Sequence, residues 1–372
     1  MAAKVVGLHI AVNMPLPDSW IPFRGKMDEE CTIALSERDL CTADPLASVV
    51  HSEIVVQRFI DNLWIFLSPE SMVPVRLAAE DQYRKLSCDL PKTSQTAEQM
   101  MKLNHLLRTA FECRFCYEGI ISLHAACVEV GEFAVAFTGH SGLGKSTRAR
   151  AWVDGLGARW ISGDRPAIRL EKQGSTACGV PWDGKEQIFR DVEVPLRCIM
   201  EVRRSPANYV RRLSEDQARQ LIMQQSFVPM WDTDAAVMAM SNVRQLVRKT
   251  PVYRVFCGPE AEDARAIYDI LVNHPEWIRE EQEQMKIKDG FVLRNVVDEF
   301  IVMPTGDNIA KFEGAVVLNE VSAFIFRQLE NPVSRDDLLT AMLDEYDVDE
   351  ATAAADLDAL LEKFAQMGVL EK

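Results

Sequence analysis

The sequence predicts an α/β fold with two or three domains, and three observations indicate it. First, a glycine-rich loop lies between a buried strand, Phe133–Thr138, and a helix that Gly157 ends. Second, short strands and helices alternate around this loop, which is typical of a sheet covered by helices. Third, after a polar, Glu/Gln-rich stretch at 276–286 the pattern changes to three short strands followed by three helices. The 372 residues are enough for each part to have its own hydrophobic core.

Residues 1–95 are predicted to form a β-rich accessory region. Apolar strand patterns occur at Val5–Val12, Glu53–Phe59 and Leu63–Leu67, and turn-rich stretches separate them. The segment carries no catalytic motif, so we expect it to be a platform against which the rest of the chain packs.

Residues 96–275 are predicted to form the central domain. Apolar residues at helical spacing predict a helix over Thr96–Glu118. A hairpin then joins Ile121–Val130 to Phe133–Thr138 at Gly131-Glu132. Further patterns predict strands at Ala158–Ser162, Ile168–Glu171 and Cys198–Arg203, a helix from Ser214 with Gln217 completing a capping box, and helices at Thr233–Arg248 and Pro259–Val272.

The loop between the central strand and helix has the sequence GHSGLGKST and fits the phosphate-loop pattern G-x-x-x-x-G-K-[ST]. Its glycines let backbone N–H groups turn toward phosphate oxygens at the positive end of the helix dipole. Lys145 would reach the β- and γ-phosphates of ATP, and the Ser146 hydroxyl would bind Mg²⁺. A glycine-rich turn that merely begins a helix is the alternative. The predicted nucleotide-binding residues are Gly139, Ser141, Gly142, Gly144, Lys145, Ser146 and Thr147.

Three further residues near the loop indicate chemistry on a phosphate. Asp164 ends a predicted strand, where a carboxylate can bind Mg²⁺ or accept the proton of an attacking hydroxyl. His124 lies on the strand before the loop strand, and Lys185 follows Pro181-Trp182 in a turn that can present a cation to a nucleotide or a peptide. Each also has a structural alternative: a turn cap for Asp164, a core histidine for His124 and a surface lysine for Lys185.

Together these residues resemble the HPr serine kinase family, whose core is a phosphate-loop fold related to phosphoenolpyruvate carboxykinase. The resemblance implies that Lys145 binds phosphate, Ser146 binds Mg²⁺, Asp164 is the catalytic carboxylate and His124 is a further site residue. Gly163 stands where the family has the first of two aspartates, and the family's E-x-R-G-x-G segment is missing, which argues against HPr itself as the substrate. The matching segments are Leu123-His124-Ala125, Gly139–Ser146 and Gly163-Asp164-Arg165.

Composition excludes several classes of protein. The net charge is −15, and 18 acidic against 8 basic residues follow position 284, a surface that repels nucleic acid and anionic membranes. No apolar run approaches the roughly 18 residues of a membrane span, and the N-terminus lacks a signal peptide's apolar core. Nine cysteines are scattered, and Cys113 and Cys116 have a spacing that we interpret as buried thiols rather than a metal site. We therefore expect a cytoplasmic protein.

The last part of the chain, residues 287–372, has a winged-helix pattern. Nucleic acid is an unsuitable ligand because the third helix is acidic. The module's predicted strands are Phe291–Val296, Glu299–Met303 and Ala315–Leu318, and its predicted helices are Glu320–Leu329, Ser334–Tyr346 and Asp349–Met367. Five segments carry a resemblance to a known family: Phe291–Arg294, Val317–Glu320, Ala323–Ile325, Glu345–Asp347 and Asp356–Leu370. Through them the module resembles PqqD, the peptide-carrier protein of pyrroloquinoline quinone biosynthesis, which recurs as a leader-recognition element of peptide-modifying enzymes.

The PqqD resemblance implies that an extended leader peptide adds as a strand along the third β-strand, while the last helix supplies side-chain pockets. Lys311, Phe312, Val316 and Leu318 would flank the peptide. Leu357, Leu360 and Phe364 would face it from the helix, or equally well pack the module's own core.

The two resemblances together predict an ATP/Mg²⁺-dependent kinase of a serine or threonine in a ribosomally made precursor peptide, held by its leader. Two alternatives stay open: a kinase of a small molecule or another protein, and a nucleotide-gated peptide carrier without phosphotransfer. Other peptide-maturation enzymes are possible partners. Kinases of the HPr type are commonly oligomeric, which implies a homo-oligomer.

Overall fold

The computed structural model describes residues 2–25, 33–37, 46–51, 54–59, 64–67, 75–89, 96–281, 284–296, 299–308 and 316–371. The chain divides into two compact units, Met1–Glu280 and Glu281–Lys372, each with its own hydrophobic core. Strands and helices are mixed throughout, which confirms the predicted α/β class. Within these ranges no helix combines the length and the apolar character needed to cross a membrane.

The N-terminal residues form one mostly antiparallel sheet. Its described strands are β1 (Ala2–Val5), β2 (Leu8–Asn13), β3 (Arg24–Gly25), β4 (Ile33–Glu37), β5 (Ala47–His51), β6 (Ile54–Arg58), β7 (Trp64–Leu67), β8 (Arg76–Glu80) and β9 (Lys85–Asp89). They lie in the order β3-β1-β2-β4-β9-β8-β7-β6-β5. Only the β2–β4 and β4–β9 pairs are parallel among these strands.

The run Val5–Val12, predicted as one strand, is two strands joined by a tight turn. Val6 and Gly7 both have positive φ, 55° and 82°, and Val5 pairs with Leu8 across the turn. Two-residue hairpins whose twist matches their strands need positive φ at the turn positions. Valine rarely adopts this conformation, so the prediction was wrong because an apolar residue occupies a turn position.

Helix α1 (Ala97–Tyr117) begins at a capping box that Thr96 and Gln99 form. Its buried face packs against the N-terminal sheet in one continuous core. The ring centroid of Phe111 lies 5.4 Å from that of Trp20 and 6.0 Å from that of Trp182. The N-terminal sheet and the central part of the chain therefore share a core.

The central sheet has ten described strands. They are β10 (Ile120–Ser122), β11 (Ala125–Val130), β12 (Phe133–Thr138), β13 (Arg159–Ser162), β14 (Ala167–Leu170), β15 (Ser175–Cys178), β16 (Glu193–Arg204), β17 (Tyr209–Arg212), β18 (Val252–Cys257) and β19 (Arg279–Glu280). The main order is β10-β14-β15-β16-β12-β11-β13, and β18 pairs with β16 and β17. The associated helices are α2 (Lys145–Leu156), α3 (Glu215–Gln225), α4 (Thr233–Lys249) and α5 (Ala261–Val272).

Two details of this sheet differ from the prediction. The predicted strand Ile121–Val130 is broken at Leu123-His124, because Leu123 N–H bonds to Pro166 and His124 N–H bonds to Gln225 instead of to a neighbouring strand of the ladder. His124 is therefore in a short connection rather than on a strand. Strands β15, β17, β18 and β19 were not predicted, and β18 extends the parallel part of the sheet.

The strand directions bring several loops to one edge of the sheet. β12, β16 and β18 are parallel, so their C-terminal ends lie together. β11 is antiparallel to β12, with Ala125 opposite Thr138, and β13 is antiparallel to β11, with Ser162 opposite Cys127. The start of β11 and the end of β13 therefore reach the same edge, which is the usual place for a ligand site in such sheets.

The C-terminal unit contains the three strands and three helices that the sequence predicted. They are β21 (Phe291–Val296), β22 (Glu299–Pro304), β23 (Val316–Leu318), α6 (Glu320–Gln328), α7 (Arg335–Glu345) and α8 (Glu350–Gln366). Three short strands that were not predicted form a second sheet, in the order β24-β20-β25: β20 (Gln284–Ile287), β24 (Val333–Ser334) and β25 (Leu370–Glu371). β20 begins inside the polar stretch 276–286.

Candidate functional site

A cavity of about 1040 Å³ opens at the edge of the central sheet where the loops meet. The glycine-rich loop and the start of α2 form its floor. The end of β13 and the turn after Trp182 border one side, and the segments following β16 and β18 border the other. The lining residues that the sequence predicted for the site are His124, Ser141, Gly142, Gly144, Lys145, Ser146, Thr147, Asp164 and Lys185.

The loop has the backbone conformation that its glycines allow. Gly139, Gly142 and Gly144 have φ of 129°, 83° and 90°, where side-chain-bearing residues rarely occur. Gly144 directly precedes α2, so the helix begins at Lys145 with its first N–H groups next to the cavity. Backbone donors at the positive end of a helix dipole suit a phosphate.

The Lys145 ammonium group lies over the loop. Its Nζ donates to the carbonyl oxygen of Gly139 at 2.9 Å and approaches that of His140 at 3.4 Å. Burial lowers the pKa of Lys145, and the nearby carboxylate of Asp164 opposes that shift. This cation is therefore positioned between the loop and Asp164.

The side chains of His124 and Asp164 lie next to each other in the wall of the cavity. Nε2 of His124 is 3.6 Å from Oδ1 of Asp164, and about a third of each side chain is exposed. The backbone fixes both, since Ala125 N–H donates to the Asp164 carbonyl at 2.8 Å. Burial and then the charge of Lys145 lower the pKa of His124, while Asp164 raises it.

Asp183 ties the turn after Trp182 to the end of β13. Its Oδ1 accepts from the Gly163 N–H and its Oδ2 from the Ile188 N–H, both at 2.8 Å. Burial raises the pKa of Asp183, and these backbone bonds oppose the shift. Three residues further on, Glu186 lines the cavity, and its Oε2 lies 2.5 Å from Nη2 of Arg150 on α2.

Asp183 and Glu186 were not among the predicted site residues. Both belong to the segment GVPWDGKE, which the sequence singled out only for Lys185. The two acidic side chains on either side of Gly184-Lys185 were the signal in the sequence that could have indicated these two residues.

Arg204 also borders the loop, with Nη2 donating to the Gly142 carbonyl at 3.0 Å. Beside it, Pro206 and Pro259 line the far side of the cavity. This side was missed because the sequence did not predict β18, the strand that ends there.

The residues present fit a Mg²⁺-bound nucleoside triphosphate. A glycine turn with positive φ, a helix N-terminus and a lysine suit the phosphates. The Ser146 hydroxyl and the Asp164 carboxylate are oxygen donors, which Mg²⁺ prefers, and this ion is usually bound through one or two carboxylates plus phosphate oxygens. The described part of the chain contains no cluster of three or more His, Cys, Asp or Glu residues that could hold a metal ion.

Cys113 and Cys116 lie in α1 as free, buried thiols, as predicted. Burial raises the pKa of the Cys116 thiol to about 12 and that of Cys113 well above its usual value. Neither thiol is therefore a reactive group near neutral pH.

The residues predicted to face a leader peptide lie in different environments. Leu357 and Phe364 are fully buried in the core of the C-terminal unit, and Leu318 is 5% exposed. Val316 and Leu360 are half-buried at the border of that core. Lys311 and Phe312 lie outside the described residues.

Strand β23 is the edge of its three-stranded sheet, in the order β21-β22-β23. Val317 in this strand is 53% exposed. In the described part of the unit, β23 pairs only with β22.

Residues 299–370 match the family model described as Coenzyme PQQ synthesis protein D (PqqD). One similar solved structure is "TbiB1 in Complex with the TbiA(beta) Leader Peptide", at 27% identity over 23% of this chain and 94% of that chain, with a TM-score of 0.21. Another is the Hpr(Ser) kinase/phosphatase from Coxiella burnetii, at 12% identity over 42% of this chain and 96% of that chain, with a TM-score of 0.25. No similar curated protein was found. The predicted PqqD-like C-terminal module is confirmed.

Proposed function

We propose that the protein is an ATP- and Mg²⁺-dependent kinase that phosphorylates a serine or threonine hydroxyl of a ribosomally synthesised precursor peptide. The observation that carries the proposal is the cavity in which the glycine-rich loop, Lys145, Ser146 and Asp164 meet, in a chain whose C-terminal module matches PqqD. We assign catalysis to residues 96–275 and leader binding to residues 287–372, with 276–286 connecting them. The free buried thiols suit a reducing compartment, and we place the reaction in the cytoplasm.

The loop would bind the triphosphate through its backbone N–H groups and the Lys145 ammonium. Lys145 lies on the loop, 2.9 Å from the Gly139 carbonyl oxygen, and from there its charge would stabilise the transferred γ-phosphoryl group. Mg²⁺, when bound, would neutralise phosphate charge, with the Ser146 hydroxyl among its ligands.

Asp164 would act as the general base toward the acceptor. The hydroxyl oxygen would form a bond to the γ-phosphorus while the bond to the β–γ bridging oxygen breaks, and ADP would leave with that electron pair. The Asp164 carboxylate would take the hydroxyl proton. His124, whose pKa is lowered by burial, would be neutral at pH 7 and would orient the Asp164 carboxylate from 3.6 Å.

The C-terminal unit would hold the peptide by strand addition to β23. The edge of β23 would supply backbone groups, and the half-buried Val316 and Leu360 would contact apolar side chains of the leader. Binding the leader would raise the local concentration of the acceptor to about the millimolar range. The cavity would therefore need little affinity of its own for the peptide.

The test combines the full-length protein with the precursor peptide encoded beside its gene, ATP and Mg²⁺, and follows the peptide by mass spectrometry. We expect a gain of one phosphate on a serine or threonine. Asp164→Asn should lower the rate by about 10²- to 10⁴-fold, the usual size for a lost general base, while a fluorescent ATP analogue still binds. Asp154→Asn removes an exposed carboxylate from α2 outside the cavity lining and is the matched control.

Other outcomes would favour the alternatives. Peptide binding without phosphate gain, with Lys145→Ala changing only the peptide affinity, would favour a nucleotide-gated carrier. Full activity of Asp164→Asn would show that another group is the base.

A further inference from the structure

We propose that Glu186 supplies a second carboxylate to the phosphate site, in the space that a side chain at position 163 would occupy, and that it contacts the nucleotide-bound divalent cation. The inference rests on the proposed nucleotide site, but not on phosphate transfer. Asp164 would then act as the general base while Glu186 contacts the cation, so Asp164 would not have to fill both roles.

Gly163 and Gly184 each lie in close contact with a side chain of the other segment. A Cβ added to Gly163 would lie 2.8 Å from both Cβ and Cγ of Glu186, and one added to Gly184 would lie 3.0 Å from Cβ of Asp164. Both distances are at or below the closest approach of real carbon atoms. The turn at 183–186 therefore lies directly on the end of β13, and the Glu186 side chain fills the volume beside Gly163.

The turn at 183–186 is held from two sides. Asp183 accepts hydrogen bonds from Gly163 N–H and Ile188 N–H. Trp182, 3% exposed, packs in the N-terminal core against Phe111 and Phe115. Glu186 is thus placed by a fixed turn rather than by an independent surface loop.

The Glu186 side chain points toward helix α2. Its carboxylate lies 2.5 Å from Nη2 of Arg150, and Glu186 lines the cavity with Ser146. Ser146 and Arg150 are four residues apart on α2, so they are neighbours on one helix face. The Glu186 carboxylate therefore pairs with a residue on the helix face that carries Ser146, the predicted Mg²⁺ ligand.

The two carboxylates consequently have different neighbours. Asp164 faces His124 and Lys145, a setting for proton transfer, whereas Glu186 pairs with Arg150 on α2, the helix that carries Ser146. A carboxylate and a hydroxyl together with phosphate oxygens form a ligand set that Mg²⁺ commonly takes.

The experiment measures the Mg²⁺ concentration that half-saturates binding of a fluorescent ATP analogue to the full-length protein, so no phosphate transfer is needed. We expect Glu186→Gln to raise this concentration by about tenfold or more, in the range seen for changes at metal sites. Arg150→Gln removes the same ion pair but leaves the carboxylate. It should leave the value unchanged or lower it, whereas a merely structural ion pair would shift both variants upward alike.

A second pair of variants tests the shared space. Gly163→Asp alone should weaken Mg²⁺-dependent binding, because the new side chain meets Glu186. Adding Glu186→Gly should restore it at least in part, since the new carboxylate then has room. Circular dichroism spectra of all variants report whether each is folded.

A half-saturating Mg²⁺ concentration within twofold of wild type in Glu186→Gln would overturn the inference, as would equal shifts in Glu186→Gln and Arg150→Gln. Failure of the wild type to bind the analogue would overturn both this inference and the proposed function. Mg²⁺-dependent binding that is sensitive to Glu186, without any peptide phosphorylation, would support this inference and remove only the kinase proposal.

Discussion

His124 has a backbone fixed on both sides and an imidazole that faces charges of both signs. Its N–H donates to the Gln225 carbonyl at 2.7 Å, and its own carbonyl accepts from the Thr138 hydroxyl at 3.0 Å. The imidazole is near Asp164, Lys145 and Arg165. Because burial and the two cations outweigh the carboxylate, the pKa of His124 is lowered from its ordinary 6.5.

This shift predicts a pH dependence of stability. The folded protein binds the His124 proton less tightly than the unfolded chain does, so the unfolded state takes up more protons between the lowered pKa and 6.5. The free energy of unfolding should therefore fall as the pH drops below about 6.5. His124→Gln should lose less stability than wild type between pH 7.5 and 5.5, measured by thermal unfolding. An identical decline in both proteins would contradict the prediction.

Sequence reasoning found the residues that lie in short, ordered motifs and missed those that depend on a tertiary contact. Lys145, Ser146 and Asp164 follow each other along the chain at recognisable spacing, and the structure brings them to one cavity. The position of Glu186 depends instead on a close contact with Gly163, and the same turn brings Gly184 against Asp164. No spacing in the sequence indicates that contact.

At the scale of elements, local signals predicted the helices well. The capping box at Ser214 and Gln217 is present as predicted, and Ser334, where a helix was predicted to begin, is the N-cap of α7. Strands were harder, because pairing partners are distant in sequence. The six residues of β18 directly follow Pro251 and helix α4, and a short apolar run does not by itself distinguish strand from helix.

The two edges of the small C-terminal sheet give a matched test of leader binding. Val317 in β23 and Val296 in β21 are 53% and 46% exposed, on opposite edges of the same sheet. Lysine on an edge strand discourages addition of a further strand. Val317→Lys should weaken leader-peptide affinity by about tenfold or more, as measured by fluorescence anisotropy of a labelled leader, whereas Val296→Lys should not. Equal effects of both substitutions would contradict strand addition at β23.

At the scale of the whole molecule, the sequence predicted the C-terminal module but not how the first 95 residues join the central sheet. The module differs from the rest of the chain in its acidic composition and in the order of its strands and helices, and both differences can be read from the sequence. The shared core of Trp20, α1 and Trp182 depends on packing between distant segments. Asn104 links them further, since its side chain accepts from Trp20 Nε1 at 2.9 Å.

This shared core predicts that Trp182 stabilises the whole first unit. Trp182→Ala should lower the free energy of unfolding by about 3–5 kcal/mol, the usual cost of truncating a buried aromatic residue. Trp277→Ala, at a side chain 57% exposed, should change it by less than about 0.5 kcal/mol. Urea unfolding followed by circular dichroism measures both. A small effect of Trp182→Ala would show that the N-terminal sheet and the central sheet are energetically independent.

The contact between Gly163 and Glu186 also restricts how such a chain can change over generations. An aspartate at position 163 and a glutamate at position 186 compete for one volume, since a Cβ at 163 would come within 2.8 Å of Glu186. We therefore expect aspartate at position 163 to be harmful while residue 186 is glutamate, and glutamate at position 186 to be harmful while residue 163 is aspartate. Residues 163 and 186 should consequently vary together among related chains.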